Sequence, residues 1–162
     1  MGNIVVTGGL GFIGSNLIQL LIKKKYRVIN IDKITYSSNF YNTKSYNKSS
    51  KYKFIKCDLN ERSKINRIFN KYKPIVIFNL AAETHVDRSI DSPEDFIQSN
   101  IVGVYKLLEI FKDYSKKNKC KLIHISTDEV YGDVLNGRTS EKYAYQPSSP
   151  YAASKAASDH LV

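Results

Sequence analysis

A doubly wound α/β fold, a parallel sheet with helices on both faces, is what this sequence predicts. Three observations lead there. Short apolar runs alternate with stretches of helical periodicity along the whole chain. The first run passes straight into a glycine-rich turn, Thr7-Gly8-Gly9-Leu10-Gly11-Phe12-Ile13-Gly14, which opens a helical pattern. The second run ends on an acid, Asp32, about 20 residues beyond that turn, where nucleotide-binding sheets place a carboxylate.

The elements follow in order. Asn3–Thr7 reads as a strand. Gly11–Lys24 reads as a helix, with Ile13, Leu17, Leu20 and Leu21 near helical spacing. Arg27–Asp32 is the second strand, and the polar stretch Lys33–Ser50 is a long loop with room for one helical turn. Tyr52–Cys57 is the third strand. Glu61–Tyr72 carries Ile65, Ile68 and Phe69 on one face and reads as a helix. Pro74 precedes the fourth strand, Ile75–Leu80. Pro93 suits the first turn of a long helix running to about Lys117. Lys121–Ser126 is the fifth strand, and a loop containing Gly, Ser and Pro leads to a last helix from about Ser149. Right-handed crossovers between such strands give the doubly wound order. No internal repeat or low-complexity linker interrupts the pattern, so residues 1–162 read as one domain. The last helical pattern is cut at Val162 without a C-cap. The expectation is the first part of a longer enzyme, with a C-terminal substrate domain missing and the isolated chain inactive.

Composition narrows the function. With 42% hydrophobic residues the chain can bury a core, and it has no apolar run of about 18 residues that would cross a membrane. Met1-Gly2-Asn3-Ile4 lacks a basic region and a cleavage site, and Gly2 opens a strand instead of marking a lipid anchor. A cytoplasmic protein is expected. The formal net charge of +10 comes from scattered lysines, with no basic stripe interleaved by aromatics, so nucleic acid is not the expected partner. Cys57 and Cys120 lie in apolar runs without metal or redox spacing. Both are expected to be buried and inert, with no metal site.

Glycines 8, 11 and 14 form G-x-x-G-x-x-G. Such a turn is tight, lets backbone approach a pyrophosphate, and aims the free N–H groups of a helix N-terminus at the phosphates. A carboxylate at Asp32 accepts hydrogen bonds from an adenosine ribose and repels a 2′-phosphate, which favours NAD, although Lys33 leaves some tolerance of NADP. Asp58 ends the third strand, where adenine would lie; an ordinary cap or loop acid is the competing reading.

Tyr151 and Lys155 form Tyr-x-x-x-Lys at the start of a helix, one turn apart on one face. A free phenol has a pKa near 10, and a nearby ammonium favours the phenolate. Asp128 and Glu129 are adjacent at the end of the fifth strand, where open sheets bind ligands. Two neighbouring carboxyls can be pushed to different proton affinities and serve as acid and base.

Together these motifs resemble the extended short-chain dehydrogenase/reductases. Three stretches sharpen the likeness: Asp32-Lys33-Ile34-Thr35-Tyr36, Leu80 to Ser89, and Ser148-Ser149-Pro150-Tyr151-Ala152-Ala153-Ser154-Lys155. With Ser126-Thr127-Asp128-Glu129-Val130-Tyr131-Gly132, they are similar to the dTDP-glucose 4,6-dehydratase family over essentially the whole chain. Sibling epimerases usually carry Ser or Thr without the paired acids, and GDP-mannose dehydratases keep only the glutamate.

The resemblance implies a Rossmann-type NAD-binding domain, a nucleotide-sugar substrate and three steps. Tyr151 takes the C4 hydroxyl proton while hydride passes from C4 to NAD. Glu129 then removes the C5 proton and Asp128 protonates the departing C6 hydroxyl. Hydride finally returns to C6, and C5 is reprotonated. Thr127 would hydrogen-bond the sugar near C4, and Lys155 would hold the nicotinamide ribose. By family position, Phe12 and Ile13 flank the pyrophosphate, while Asp32, Lys33, Ile34, Thr35, Asp58 and Leu59 line the adenosine. Leu80, Ala81, Ala82 and Thr84 pass under the cofactor, with Thr84 also reaching substrate, and Ser99 stands where the family often has Thr. His85 is read as a packed or hydrogen-bonded loop residue instead of a base. Family members pair through two long helices, here Pro93–Lys117 and the one beginning near Ser149, which implies a homodimer. UDP-glucose as substrate, an epimerase, and a non-catalytic NAD-binding module remain the alternatives.

Overall fold

The computed structural model describes residues 2–134 and 136–162. In chain order it contains β1 (Asn3–Thr7), α1 (Phe12–Lys23), β2 (Arg27–Asp32), β3 (Tyr52–Lys56), α2 (Arg62–Tyr72), β4 (Pro74–Asn79), α3 (Val86–Asp91), α4 (Glu94–Phe96), α5 (Gly103–Ser115), β5 (Lys121–His124) and α6 (Pro150–Leu161). Phe40–Thr43 and Asp128–Tyr131 are 3-10 turns, and Ile97–Val102 is a π-helical segment between α4 and α5. The backbone divides into two compact units: Met1–Ala81 with Lys106–Ile125, and Ala82–Tyr105 with Ser126–Val162.

The first unit holds the sheet. Its five strands are ordered β3-β2-β1-β4-β5, and every pairing is parallel. The chain winds outward from β1 in one direction and then restarts beyond it with β4, so the strand order reverses between β1 and β4. Carboxyl ends meet there: Thr7 pairs with Ile31 and Asn79, and Asn79 with His124. This is the doubly wound Rossmann arrangement that alternating strands and helices predict, with helices covering both faces.

Alternation along β1 divides the core. Val5 points to one face, where it packs with Ile65 and Phe69 of α2 and Leu107 and Ile110 of α5. Ile4 and Val6 point to the other, against Ile18 and Leu21 of α1. The predicted apolar face of α2 is the buried one. That of α1 is rotated: Gly14, Ser15, Ile18 and Leu21 are buried, while Ile13 and Leu20 are exposed. The glycine and serine can lie close to neighbouring backbone because they lack bulk, a signal that apolar periodicity does not carry. Cys57 is buried, and burial pushes its thiol up to about 12, which leaves almost no thiolate at neutral pH. Cys120 is only partly buried, short of the burial expected for it.

The second unit adds one element to the sequence reading and departs from it at another. Val86–Asp91, to which the sequence assigned no element, is helical; Val-Asp-Arg-Ser-Ile-Asp is too short and polar to show a period. The long helix expected from Pro93 is not uniform: α4 gives way to the π segment before α5 resumes the ordinary pitch. Wide turns of this kind often stand at functional positions. No helix among the described residues is long and apolar enough to cross a membrane.

Phe69 is 1% exposed and stands edge-on to Tyr114, with ring centroids 5.3 Å apart. Replacing it with alanine is expected to cost about 3–5 kcal/mol of folding stability, from lost transfer energy and an unfilled cavity. Urea unfolding of Phe69→Ala checks this; a loss below about 1 kcal/mol would mean that the α2 face is not the core described.

Candidate functional site

The predicted site residues fall into two groups, one in each unit. The first is built around the turn after β1. Gly8 has φ +69°, and a Cβ there would lie 2.8 Å from the backbone of Ala81. A Cβ on Gly14 would lie 2.4 Å from the Gly8 carbonyl oxygen. Both positions therefore exclude any side chain, and the turn closes through Gly8 N–H to Ile31 O at 2.8 Å and Gly11 N–H to Gly8 O at 3.2 Å. The helix that follows starts at Gly11 with no side-chain cap and no acid in its first turn. Its leading N–H groups and positive dipole end thus have no carboxylate of their own. Phe12 and Ile13, the next two residues, are 82% and 61% exposed.

Asp32 is buried, and its carboxylate is already engaged. Oδ2 accepts from Leu10 N–H at 3.0 Å, and Oδ1 from Ile34 N–H at 2.8 Å and the Ser38 hydroxyl at 2.9 Å. The residue expected to bind a ribose is also the staple that ties the glycine turn to the loop after β2. A carboxylate offers about four lone-pair sites, so acceptor capacity remains. Ile34, the amide donor in that staple, has φ +65°, a left-handed conformation that costs a β-branched residue about 1–3 kcal/mol. Thr35 donates its N–H to Ser38 Oγ, and Lys33 is partly exposed beside them. Asp58 Oδ1 accepts from Asn60 N–H at 2.8 Å, the loop-acid geometry that competes with an adenine role, while Leu59 packs into the core. Leu80 and Ala81 return to the first strand: Leu80 N–H donates to Thr7 O, and Ala81 N–H to Thr7 Oγ1 at 3.1 Å.

The second group is gathered on α6 and the 3-10 turn at Asp128. Ser149 caps α6 by accepting from Ala152 N–H, and Pro150 fills the first helical position. Tyr151 and Lys155 then follow one turn apart, both buried. Thr127 caps the Asp128–Tyr131 turn by accepting from Glu129 N–H and donates weakly to Asp128 Oδ1 at 3.4 Å. Asp128 and Glu129 are exposed.

The electrostatics differ from the sequence expectation. The Tyr151 phenol is pushed up: burial raises it, its hydrogen bond with Thr127 pulls it back, and the charges of Glu129 and Asp128 raise it further. The expected lowering by Lys155 does not prevail. Burial in turn pushes the Lys155 ammonium down, and the negative charge of Asp159 opposes that. Thr127, Asp128, Glu129 and Tyr151 are therefore brought into mutual electrostatic range, a donor and two acids around one phenol.

Thr84 is exposed and Ser99 partly so. Ala82 precedes Glu83, whose backbone is held from both sides by Asn100 of the π segment: Glu83 N–H donates to Asn100 Oδ1 at 2.8 Å, and Asn100 Nδ2 donates to Glu83 O at 2.9 Å. Asn100 Nδ2 also donates to Ser154 Oγ at 2.9 Å, between Tyr151 and Lys155 on α6. Tyr151 N–H donates to Ser89 Oγ. Asn100 and Ser89 went unnoticed in the sequence. Asn100 stands in the polar run Gln98-Ser99-Asn100 between Ile97 and Ile101, and nothing in that run marks it from its neighbours. His85 is exposed, not packed. Among the described residues no group of three or more His, Cys, Asp or Glu could hold a metal ion.

Residues 5–162 match the model of one protein family, described as GDP-mannose 4,6 dehydratase. The chain belongs to that family. Within this GDP-mannose 4,6 dehydratase family its similarity runs to enzymes of another substrate. It is 50% identical to the dTDP-glucose 4,6-dehydratase of Haemophilus influenzae, covering 100% of this chain and 51% of that protein. The crystal structure of DesIV, a dTDP-glucose 4,6-dehydratase from Streptomyces venezuelae with NAD and TYD bound, has a TM-score of 0.91 at 35% identity. The match covers 98% of this chain and 50% of DesIV. The dTDP-glucose 4,6-dehydratase of Bacillus anthracis in complex with NAD has a TM-score of 0.87 at 38% identity, covering 99% of this chain and 49% of that one. The chain thus spans about half the length of these relatives.

Replacing Asn100 with alanine removes the partners of a buried backbone N–H and C=O. It should lower stability by about 1–3 kcal/mol. A loss below about 0.5 kcal/mol by urea titration would show that Asn100 fills space without clamping the Glu83 backbone.

Proposed function

We propose that this chain is the NAD-binding part of a nucleotide-sugar 4,6-dehydratase that converts dTDP-glucose to dTDP-4-keto-6-deoxyglucose. The observation that carries the reading is the set in the second unit: Thr127, Asp128 and Glu129 acting together on the buried phenol of Tyr151. A dehydration across C5 and C6 needs one base and one acid, and two carboxyls beside a hydroxyl donor and a phenol supply them. The 50% identity to the Haemophilus influenzae enzyme supports the choice of dTDP-glucose.

The first unit fits NAD. Gly8 and Gly14 leave no room for side chains where the turn is tightest. The uncapped start of α1 suits a pyrophosphate, and the spare acceptor capacity of Asp32 suits a ribose diol. NAD, when bound, supplies a transient hydride acceptor, so that the sugar is oxidised at C4 and reduced again at C6 with no net redox change.

The residues of the chain handle protons. Tyr151 accepts the C4 hydroxyl proton, and Thr127, close enough to act on the phenol, orients that hydroxyl. Once C4 is a ketone, the C5 hydrogen is acidic. Glu129 removes it, Asp128 protonates the C6 hydroxyl, and water leaves; C5 takes up a proton again as hydride returns to C6. The raised phenol makes Tyr151 a proton donor in the resting chain, so it acts as a base only as the phenolate. The working protein is proposed to be a cytoplasmic homodimer, supported by exposed Ile97 and Tyr105 along the helical stretch that the family uses for pairing.

The test uses the full-length protein from its source reading frame. Product from dTDP-glucose, with Asp128→Asn plus Glu129→Gln lowering kcat by at least about a thousandfold while NAD stays bound, is the expected result. UDP-glucose is run in parallel. Turnover of UDP-glucose alone would change the substrate; no product from either sugar by an NAD-bound protein would overturn the dehydratase reading.

A further inference from the structure

Asp159 lies one helical turn beyond Lys155 on α6, as Lys155 lies one turn beyond Tyr151. Its carboxylate has more to do than face that lysine. Oδ2 accepts the hydroxyl of Ser126, and also the phenol of Tyr145 at 3.3 Å. Ser126 is the residue immediately before Thr127-Asp128-Glu129. The Tyr145 ring stands edge-on to Tyr131, with centroids 5.3 Å apart, and Tyr131 closes the 3-10 turn that begins at Asp128. One carboxylate therefore touches both ends of the acid-bearing segment, directly at Ser126 and through Tyr145 at Tyr131.

The third link is to Lys155. That side chain is 4% exposed, and burial works against its ammonium form. The charge of Asp159 works the other way. The other titratable groups around this carboxylate are Tyr145, Tyr131 and His160, whose ring lies 5.2 Å from that of Tyr145. Asp128 and Glu129 act on Tyr151 one turn further back.

We propose that Asp159 is a positioning residue of this site, pairing with Lys155 while it anchors Ser126 and Tyr145, so that one carboxylate sets both the lysine and the frame of the Asp128–Glu129 pair. Its catalytic consequence rests on the dehydratase reading above; the pairing itself does not. Without Asp159 the ammonium loses an opposing charge and Ser126 loses its acceptor. The lysine then deprotonates at lower pH, and the alkaline limb of the rate profile moves with it.

The experiment follows Lys155 Nζ by nitrogen-15 resonance in the full-length protein, assigned by its loss in Lys155→Arg, with no substrate added. Asp159→Asn is expected to move the titration midpoint down by about one pH unit, and Asp159→Glu to recover most of that shift. In turnover, Asp159→Asn should lower kcat more than it raises KM and shift the alkaline limb by a similar amount. A midpoint unchanged in a folded Asp159→Asn protein would overturn the proposal and leave Asp159 a structural anchor. Should that variant not fold, the parent protein decides: the Asp159 carboxyl carbon must show an inflection at the Lys155 midpoint, and a flat response overturns the pairing. Because the titration needs no dehydratase activity, it fails separately from the substrate assignment.

Discussion

Burial of an ionisable pair on one helix is the constraint on which the proposed chemistry depends. Tyr151 and Lys155 are both withdrawn from water on α6, and withdrawal disfavours phenolate and ammonium alike. Neither can work as a bare group. Each needs neighbours that favour its charged form, and much of the second unit consists of such neighbours. Thr127 hydrogen-bonds the phenol, Asp159 opposes the loss of the ammonium, and Ser89 and Asn100 hold the helix on which both side chains stand. The π segment belongs to the same solution, since it is where Asn100 leaves the regular helical pattern to hold Glu83 and Ser154 at once.

The first unit meets a different requirement with similar means. A turn proposed to bind phosphate must keep its N–H groups directed outward while the chain around it stays fixed. Glycine supplies the tight geometry at Gly8 and Gly14. The buried carboxylate of Asp32 supplies the fixing, with hydrogen bonds to Leu10, Ile34 and Ser38. The strained backbone of Ile34 is held by that carboxylate, so the loop after β2 keeps a shape that a free chain would avoid.

Much of the fold was legible because it rests on local signals. Alternating apolar runs marked all five strands, and the burial of Ile65, Ile68 and Phe69 followed from their spacing. The glycine turn and Tyr151-x-x-x-Lys155 were legible because spacing alone carries their geometry. Three kinds of information were not. The buried face of α1 depends on Gly14 and Ser15, small residues that hydrophobic periodicity ignores. Val86–Asp91 is helical without a period to announce it. The roles of Asn100, Ser126 and Asp159 arise from contacts between residues far apart in sequence, such as Ser126 with Asp159, and a polar residue on a helix does not declare its partner. The direction of the Tyr151 shift was misread for the same reason: sequence shows the neighbouring lysine, while the structure adds burial and two acids.

The central proposal is that the full-length protein oxidises and then reduces the same sugar, with the residues of this chain moving only protons. Deuterium at C4 of dTDP-glucose tests it most directly in the full-length protein. The account predicts that the label reappears at C6 of the 4-keto-6-deoxy product, carried there without exchange with water. Product formed with no label at C6, the deuterium being lost wholly to solvent, would contradict it.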